Sequence, residues 1–203
     1  MQQKLILPIN KTLVTASVLN PAYRTKYKFN HYGTDMVSAV GDRTVYASGT
    51  GTLIASGWDR YSGNTVIIRY PGAYCRTDGR WTDVIFRYFH LAEIARIPAG
   101  ENAVTKDTVL GKYGGSGMGS LNYWSPHLHV EADTDTRYPR HSPTFAVSGE
   151  ILFGQSAGAT AATIRDCLEF LYCKKGGPDF QTYQTAGAPY VNAADFLLPD
   201  LTA

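Results

Sequence analysis

Several signatures of well-known protein classes are missing from this chain. It contains neither G-x-S-x-G nor H-E-x-x-H, the motifs of serine hydrolases with a nucleophile elbow and of thermolysin-like metalloproteases. No apolar run approaches the ~20 residues that a membrane-spanning helix needs. The N-terminal apolar stretch is interrupted by Pro8, Asn10 and Lys11, so it does not have the form of a secretory signal. We therefore expect a globular protein without a membrane span.

Cysteine is also scarce. Cys75, Cys167 and Cys173 make an odd number, and the last two are six residues apart, which would place them on different faces of a helix. None pairs with a histidine in a recognisable motif. We interpret the cysteines as small hydrophobic residues or free thiols, not as a nucleophile.

Charge of one sign is not in large excess. The formal net charge is +2 and the sequence pI is near 8.4, which is too mild to indicate nucleic-acid binding. With 203 residues, of which 44% are hydrophobic, the chain can bury a core of its own. We predict a single domain over residues 1–203, with a monomer favoured.

Short runs rich in Val, Ile, Tyr, Thr and Phe recur between glycine-bearing turns. The runs 44–47, 52–57, 65–70 and 83–91 predict strands. The expected fold class is mainly β, with an antiparallel β-sheet core and a substrate groove. The stretch 71–81 is expected to be a long connection, either one wall of that groove or a surface insertion.

The C-terminal part changes character. Apolar residues recur at helical spacing between about 160 and 175, with Thr163 and Asp166 as a possible capping box. This pattern predicts one amphipathic helix, which either packs against the sheet or presents a face to a partner.

Four of the five histidines lie in short patterns that suit a hydrolytic zinc site. His31 precedes Asp35 by four residues, His90 follows Tyr88 by two, and His127 is followed by His129. On a strand, His127 and His129 share one face with Glu131, away from the apolar Leu128 and Val130. Gly33, with β-branched Thr34 and Val37, favours an extended or loop conformation around His31 and Asp35. Two histidines and one aspartate fit the three protein ligands of a catalytic zinc ion.

At these residues the chain resembles the lysostaphin/LytM-like family of peptidoglycan zinc metalloendopeptidases. The family motifs H-x-x-x-D, Y-x-H and H-x-H all occur, in that order. The segment 41–51 resembles the strand pair after the first motif, and 111–117 resembles the turn before the last. The resemblance covers roughly residues 5–135.

The resemblance implies a role for each motif residue. His31, Asp35 and His129 would bind one Zn²⁺, whose water is the nucleophile, while His90 and His127 would face the substrate and serve acid/base and oxyanion roles. Which of the two is the base stays open. Removing Asp35 or His129 is expected to harm activity more than removing His90.

Four further residues are candidates for supporting roles. Tyr88 either donates to the oxyanion or orients His90, or it is an ordinary half-buried strand tyrosine. Glu131 either supports the zinc ligands or is a solvated strand carboxylate. Tyr123 and Trp124 either line a cleft for a peptide or pack in the core, the latter being favoured.

The implied substrate is the peptide part of cell-wall peptidoglycan, and the alternative is a non-catalytic wall-binding or hydrolase-activating protein. Residues 136–188 would be a helical insertion before a closing segment at 190–197. Only 30 residues precede His31, so we expect no inhibitory propeptide and a chain that is active as made. Action on the extracellular wall without an export signal suggests a phage or prophage protein, virion-associated or released at lysis.

Overall fold

Residues 1–154, 161–174, 181–182, 189–192 and 198–201 are described by the structure, a computed structural model. The strands are β1 Leu5–Ile6, β2 Thr12–Ala16, β3 Thr34–Ser38, β4 Thr44–Tyr46, β5 Thr52–Asp59, β6 Gly63–Cys75, β7 Arg80–Ile94, β8 Val109–Tyr113, β9 Leu128–Asp133, β10 His141–Ser142, β11 Phe153–Gly154, β12 Ile164–Arg165, β13 Leu171–Lys174, β14 Gln181–Thr182 and β15 Asp200–Leu201. One α-helix, α1 Pro21–Tyr27, and one 3₁₀ turn, Cys167–Glu169, complete the described elements. Among these residues no helix has the length and apolar character needed to cross a membrane.

A ten-stranded sheet dominates the molecule, and the mainly β, antiparallel fold class is confirmed. Its principal order is β14-β2-β3-β9-β7-β6-β5, with the long β6–β7 hairpin between β9 and β5. The four runs predicted as strands correspond to β4, β5, β6 and β7. Two small sheets, β1-β13-β15 and β10-β11, accompany the large one.

The two faces of the large sheet are different. One face carries the main core, which includes Phe86, Tyr88, Leu128 and Val130 and is completed by the N-terminal strand and residues 167–173. The opposite face carries His129 and Phe89, which are directly paired on β9 and β7. Alternation along β9 therefore separates the histidine from the apolar residues, as the sequence predicts.

The stretch 71–81 is not a loop but the far part of a long hairpin, so its expected role as a wall of the substrate groove was wrong. Strand β6 continues to Cys75 and β7 begins at Arg80, with Cys75 and Arg80 paired across a tight turn. Ten residues of β7 separate Arg80 from His90, or roughly 33 Å at ~3.3 Å per residue. The turn therefore lies at the far end of the hairpin from the histidines.

The predicted C-terminal helix is also wrong. Its apolar residues lie in β12, in the 3₁₀ turn and in β13, while residues 160 and 175 lie outside the described part of the chain. Leu171 pairs in parallel with Leu5, and Ile164 pairs with Asp133 at the end of β9. The apolar residues at helical spacing are also compatible with strands. Pairing with β1 and β9 therefore decides for strands over a helix. Asp166 does cap, but it caps the 3₁₀ turn by accepting from the Leu168 N–H at 3.0 Å.

Helix α1 was not predicted from the sequence. Asn20 is its N-cap, accepting from the Ala22 and Tyr23 N–H groups at 3.0 and 3.1 Å, and Pro21 occupies its first turn. Lys28 ends it in the left-handed conformation, with φ of 65°. The helix has no buried residue, so the sequence has no apolar stripe that would predict it.

Candidate metal centre

Three side chains from separate parts of the chain converge beside β9. His31 lies in the segment that leads from α1 into β3, Asp35 lies on β3, and His129 lies on β9 directly opposite Asp35 in the strand register. His129 Nδ1 is 2.8 Å from Asp35 Oδ1, and His31 Nε2 is 3.1 Å from both atoms. All three residues are buried. The H-x-x-x-D and H-x-H motifs thus meet through antiparallel pairing.

Neighbouring groups fix which atoms face one another. The Nδ1–H of His31 donates to the Ser17 carbonyl at 3.1 Å, which leaves the lone pair on Nε2 directed at Asp35 and His129. His129 directs Nδ1 inward, and its Nε2 has no hydrogen-bond partner among the described residues. A Cβ on Gly33 would approach that Nε2 to 2.4 Å, so only glycine leaves room for the ring.

The donor set fits a zinc ion. Tetrahedral zinc with bonds of ~2.0–2.1 Å places neighbouring ligand atoms roughly 3.3 Å apart, close to the separations between the three atoms here. Two imidazoles and one carboxylate are ligands that zinc accepts, and a fourth position remains for substrate or water. His31, Asp35 and His129 are therefore the residues suited to hold the metal.

The three groups perturb one another electrostatically. Burial favours a neutral Asp35, but His31 and His127 outweigh it and hold the pKa of that carboxyl well below its usual range. Burial tends to lower the pKa of His31, yet the adjacent Asp35 charge and hydrogen bond raise it. The pKa of His129 is lowered, with burial as the largest cause.

His90 reaches this centre through a break in strand alternation. Asn64 of β6 pairs with Leu91 of β7, and Val66 pairs with Tyr88. Two steps along β6 therefore match three steps along β7, so β7 holds one extra residue there. His90 itself has φ of 62°, a conformation that is uncommon outside glycine. Its ring centroid consequently lies 5.0 Å from that of His127 and 5.8 Å from that of His129.

Backbone carbonyls determine the tautomer of His90. Its Nδ1 is 2.7 Å from the Ser116 carbonyl and 3.1 Å from the Ser62 carbonyl, so Nδ1 carries the proton and donates. Nε2 is then the free basic nitrogen. Burial, followed by the neighbouring His127 and His129, holds the pKa of His90 well below the ordinary value. A buried, neutral imidazole with one free nitrogen is suited to accept a proton.

His127 lies at the more open edge of the centre. Its Nδ1 is 2.7 Å from the Ser125 carbonyl and therefore donates to it, and its Nε2 is 3.6 Å from Asp35 Oδ1. The side chain is 18% exposed, whereas His129 is buried. The structure thus gathers His31, Asp35, His90, His127 and His129 in one place and gives the two members of the H-x-H pair different surroundings.

Comparison with known families decides the assignment. The sequence model of Peptidase family M23 matches residues 29–140, which is more than half of the chain and includes all five of these residues. The chain belongs to peptidase family M23.

Named relatives of this M23 peptidase include the peptidoglycan DD-endopeptidase ShyC of Vibrio cholerae serotype O1, 33% identical over 101 residues. The match covers 50% of this chain but only 19% of ShyC, so the chain spans far less than two thirds of that relative. Similar solved structures include a zinc-containing peptidase from Vibrio cholerae, with 21% identity, TM-score 0.48 and coverage of 64% of this chain and 37% of that one. The lysostaphin catalytic domain from Staphylococcus simulans has 20% identity, TM-score 0.42 and coverage of 70% and 78%.

Tyr88 does not belong to the M23 site. It is buried in the main core, where its hydroxyl is 2.7 Å from the Tyr70 hydroxyl and 3.2 Å from Ser48 Oγ. Strict alternation would place Tyr88 and His90 on one face, but the extra residue in β7 separates them. The suggestion that Tyr88 donates to an oxyanion or orients His90 is therefore wrong.

Glu131 is not the solvated strand carboxylate that was one of its two predicted roles. It lies on the His129 face but is fully buried, and it accepts from Arg87 Nη1 at 3.1 Å, from Ser142 Oγ at 2.7 Å and from Thr144 Oγ1. Arg87 is itself buried and also pairs with Asp133 at 2.6 Å. Glu131 thus anchors the segment that follows β9, and it has no hydrogen bond to His31 or His129 among the described contacts.

Tyr123 and Trp124 are at the surface, so the favoured core interpretation was wrong. They are 54% and 38% exposed and pack edge to face against each other. The Trp124 ring lies 5.9 Å from the ring of His90. This position, at the edge of the M23 site, agrees with the alternative that the pair lines a cleft.

Two aromatic contacts to the candidate metal ligands His31 and His129 were not predicted from the sequence. Tyr23 of α1 stacks on His31 with 4.4 Å between centroids, and Phe89 stacks on His129 at 5.3 Å with the rings 4° from parallel. Burial, and then the Asp35 charge, raises the pKa of Tyr23. Phe89 follows from strand pairing with His129 once the register is known, whereas α1 has no apolar stripe and only its Asn20-Pro21 start could have indicated it.

A covering segment lies over the sheet next to Phe89. Pro139 accepts from Arg87 Nε at 2.8 Å, and Leu152 and Phe145 pack with Phe89 on this face. Farther along, Asp59 accepts from the N–H groups of Ile151 and Leu152 at 3.0 Å. We refer to residues 139–152 as the covering segment. It closes the sheet face on the β5–β7 side of His129.

Proposed function

We propose that this chain is a zinc-dependent endopeptidase that hydrolyses peptide bonds in bacterial peptidoglycan. The observation that carries the proposal is the convergence of His31, Asp35 and His129, with His90 and His127 along one side. Family membership supports a peptidase, and ShyC, a peptidoglycan DD-endopeptidase, supports this substrate class.

The chain's own residues divide the chemistry. A zinc ion held by His31, Asp35 and His129 would supply Lewis acidity to a peptide carbonyl and to water. His90, with Nδ1–H held by two carbonyls, presents Nε2 as a proton acceptor. His127, which lies at the more open edge with Nδ1 engaged by Ser125, presents Nε2 to stabilise the developing negative charge and to pass a proton to the leaving amine.

Water exclusion is uneven around the centre. Strand β7 and helix α1 bury the ligands from two directions, since Phe89 packs on His129 and Tyr23 packs on His31. The side near His127, Tyr123 and Trp124 remains open. A peptide would approach from this side and place its scissile carbonyl between the metal ligands and His90.

The test is mass spectrometry of the products that the zinc-loaded protein releases from purified sacculi. We expect new free amino termini with the wild-type chain and none with His129→Ala, because the variant loses one of three ligands. Circular dichroism of the variant controls for folding. Intact sacculi with both proteins, while both bind the wall, would instead favour the non-catalytic binding or activating function.

A further inference from the structure

The surface beside the candidate metal centre carries several positive charges, although the net charge of the whole chain is only +2. No Asp or Glu precedes Asp35 in the sequence, whereas five Lys or Arg residues do. Three of these, Arg24, Lys26 and Lys28, are in α1 or at its C-cap. All three are exposed. The positive charge of the N-terminal region is thus concentrated on one short helix.

Exposed aromatic rings share this surface. Tyr27 and Phe29 are 43% and 47% exposed, and both pack against Tyr23. Lys26 lies over the rings of Tyr27 and Tyr190, at 5.3 and 5.6 Å from their centroids. We define the α1 surface as Arg24, Lys26, Tyr27, Lys28 and Phe29.

The α1 surface is connected directly to the catalytic centre. Tyr23, against which the exposed rings pack, stacks on the metal-binding His31. The Leu19 N–H, just before α1, also donates to the His31 carbonyl at 2.6 Å. A chain bound at His90 and His127 and continuing past His31 would therefore reach α1.

We propose that the α1 surface binds the carboxylate-bearing stem peptide of peptidoglycan. This inference rests on the proposed function and adds the part of the substrate that is recognised away from the cleaved bond. Arg24, Lys26 and Lys28 form no salt bridge with an acid among the described residues, so their charges complement free carboxylates. Exposed tyrosine and phenylalanine rings supply apolar contact area for a peptide at low entropic cost.

The experiment measures co-sedimentation of the 203-residue chain with purified sacculi in the presence of a chelator, so that binding is separated from hydrolysis. The test variant is Arg24→Gln/Lys26→Gln/Lys28→Gln. The matched control, Arg43→Gln/Arg96→Gln/Lys106→Gln, removes three exposed cations elsewhere. A second pair of samples uses sacculi whose carboxyl groups have been converted to amides.

We expect the α1 variant to bind untreated sacculi about tenfold more weakly than wild type, and the control variant to bind nearly normally. Amidation should weaken wild-type binding to a similar extent and leave the α1 variant little changed, because both changes remove the same interaction. Equal losses in the two variants, or an amidation effect of the same size in both wild type and α1 variant, would overturn the assignment. Competition by phosphatidylglycerol vesicles, but not by soluble stem peptide, would also overturn it.

Failure of this inference and failure of the proposed function give different results. If zinc-loaded protein releases peptide fragments but the α1 variant binds like wild type, the endopeptidase assignment stands and the proposed binding role of the α1 surface fails. If the binding pattern holds and no fragments appear, the surface assignment stands and the catalytic proposal fails.

Discussion

His127 and His129 are two residues apart, yet their surroundings predict different consequences of mutation. His129 is buried with Nδ1 at 2.8 Å from Asp35, whereas His127 is 18% exposed with Nε2 at 3.6 Å from the same oxygen. We expect His129→Ala and Asp35→Ala to lose both zinc and activity. We expect His127→Ala and His90→Ala to retain zinc while activity falls by about 10²–10⁴-fold, the range for a positioned acid or base.

Zinc content after dialysis, measured by inductively coupled plasma mass spectrometry, separates these two groups of variants. Activity on sacculi is measured on the same samples, and circular dichroism establishes that each variant is folded. Full zinc content in Asp35→Ala, or loss of zinc in His127→Ala, would contradict the ligand assignment.

At the residue scale, side-chain positions could be predicted from the sequence where they follow from regular strand pairing. The prediction failed where a strand is irregular. Asp35 and His129 meet because β3 and β9 pair in a regular register, and His31 lies four residues before Asp35. Tyr88 was misplaced because β7 holds an extra residue and His90 adopts a positive φ. Neither feature can be read from the spacing of Tyr88 and His90. The partners of Glu131 come from the covering segment, 11 and 13 residues away along the chain.

At the scale of elements, the covering segment depends on a buried ionic group. Arg87, Glu131 and Asp133 are each at most 1% exposed, and Arg87 pairs with both acids. Glu131 also accepts from Ser142 and Thr144. We expect Glu131→Ala to lower the free energy of unfolding by about 3–5 kcal/mol, because it leaves a buried guanidinium partly uncompensated.

Denaturant unfolding measures this change, and Glu93→Ala is the control. Glu93 pairs with Lys112 at 3.0 Å, but both side chains are more than half exposed, so its removal should cost less than about 1 kcal/mol. Equal and small effects of the two substitutions would show that the buried group does not hold the covering segment in place.

Strands and helices could be predicted where the spacing of apolar residues fitted only one kind of element. The strands β4 to β7 followed from β-rich runs between turns. The apolar spacing of residues 164–172 fitted a helix as well, and only pairing of Leu171 with Leu5 and of Ile164 with Asp133 decided for strands. Helix α1 buries nothing of its own, so its position rests on capping by Asn20 and on aromatic contacts around Tyr23, which periodicity does not report.

At the scale of the whole molecule, the metal should link distant parts of the fold. His31 follows α1, and His129 lies 98 residues later on β9. A ligand that binds only the folded state stabilises it by RT ln(1 + [L]/Kd), or about 2.7 kcal/mol at 100 times Kd. For a chain of 203 residues, each kcal/mol shifts Tm by about 2–4 °C. We therefore expect excess zinc to raise Tm by roughly 5–11 °C over the chelated protein.

Two variants test whether the zinc-dependent increase in Tm comes from binding at His31, Asp35 and His129 or from nonspecific binding. His127→Ala keeps all three ligands and should show the same increase in Tm, whereas Asp35→Ala should show almost none. Differential scanning calorimetry at two zinc concentrations makes the comparison, because a single site predicts a further increase of about 1.4 kcal/mol for each tenfold rise in free zinc. A zinc-dependent shift that persists in Asp35→Ala would mean that the metal binds elsewhere on the chain, and a wild-type Tm that ignores zinc would mean that the three residues do not hold it.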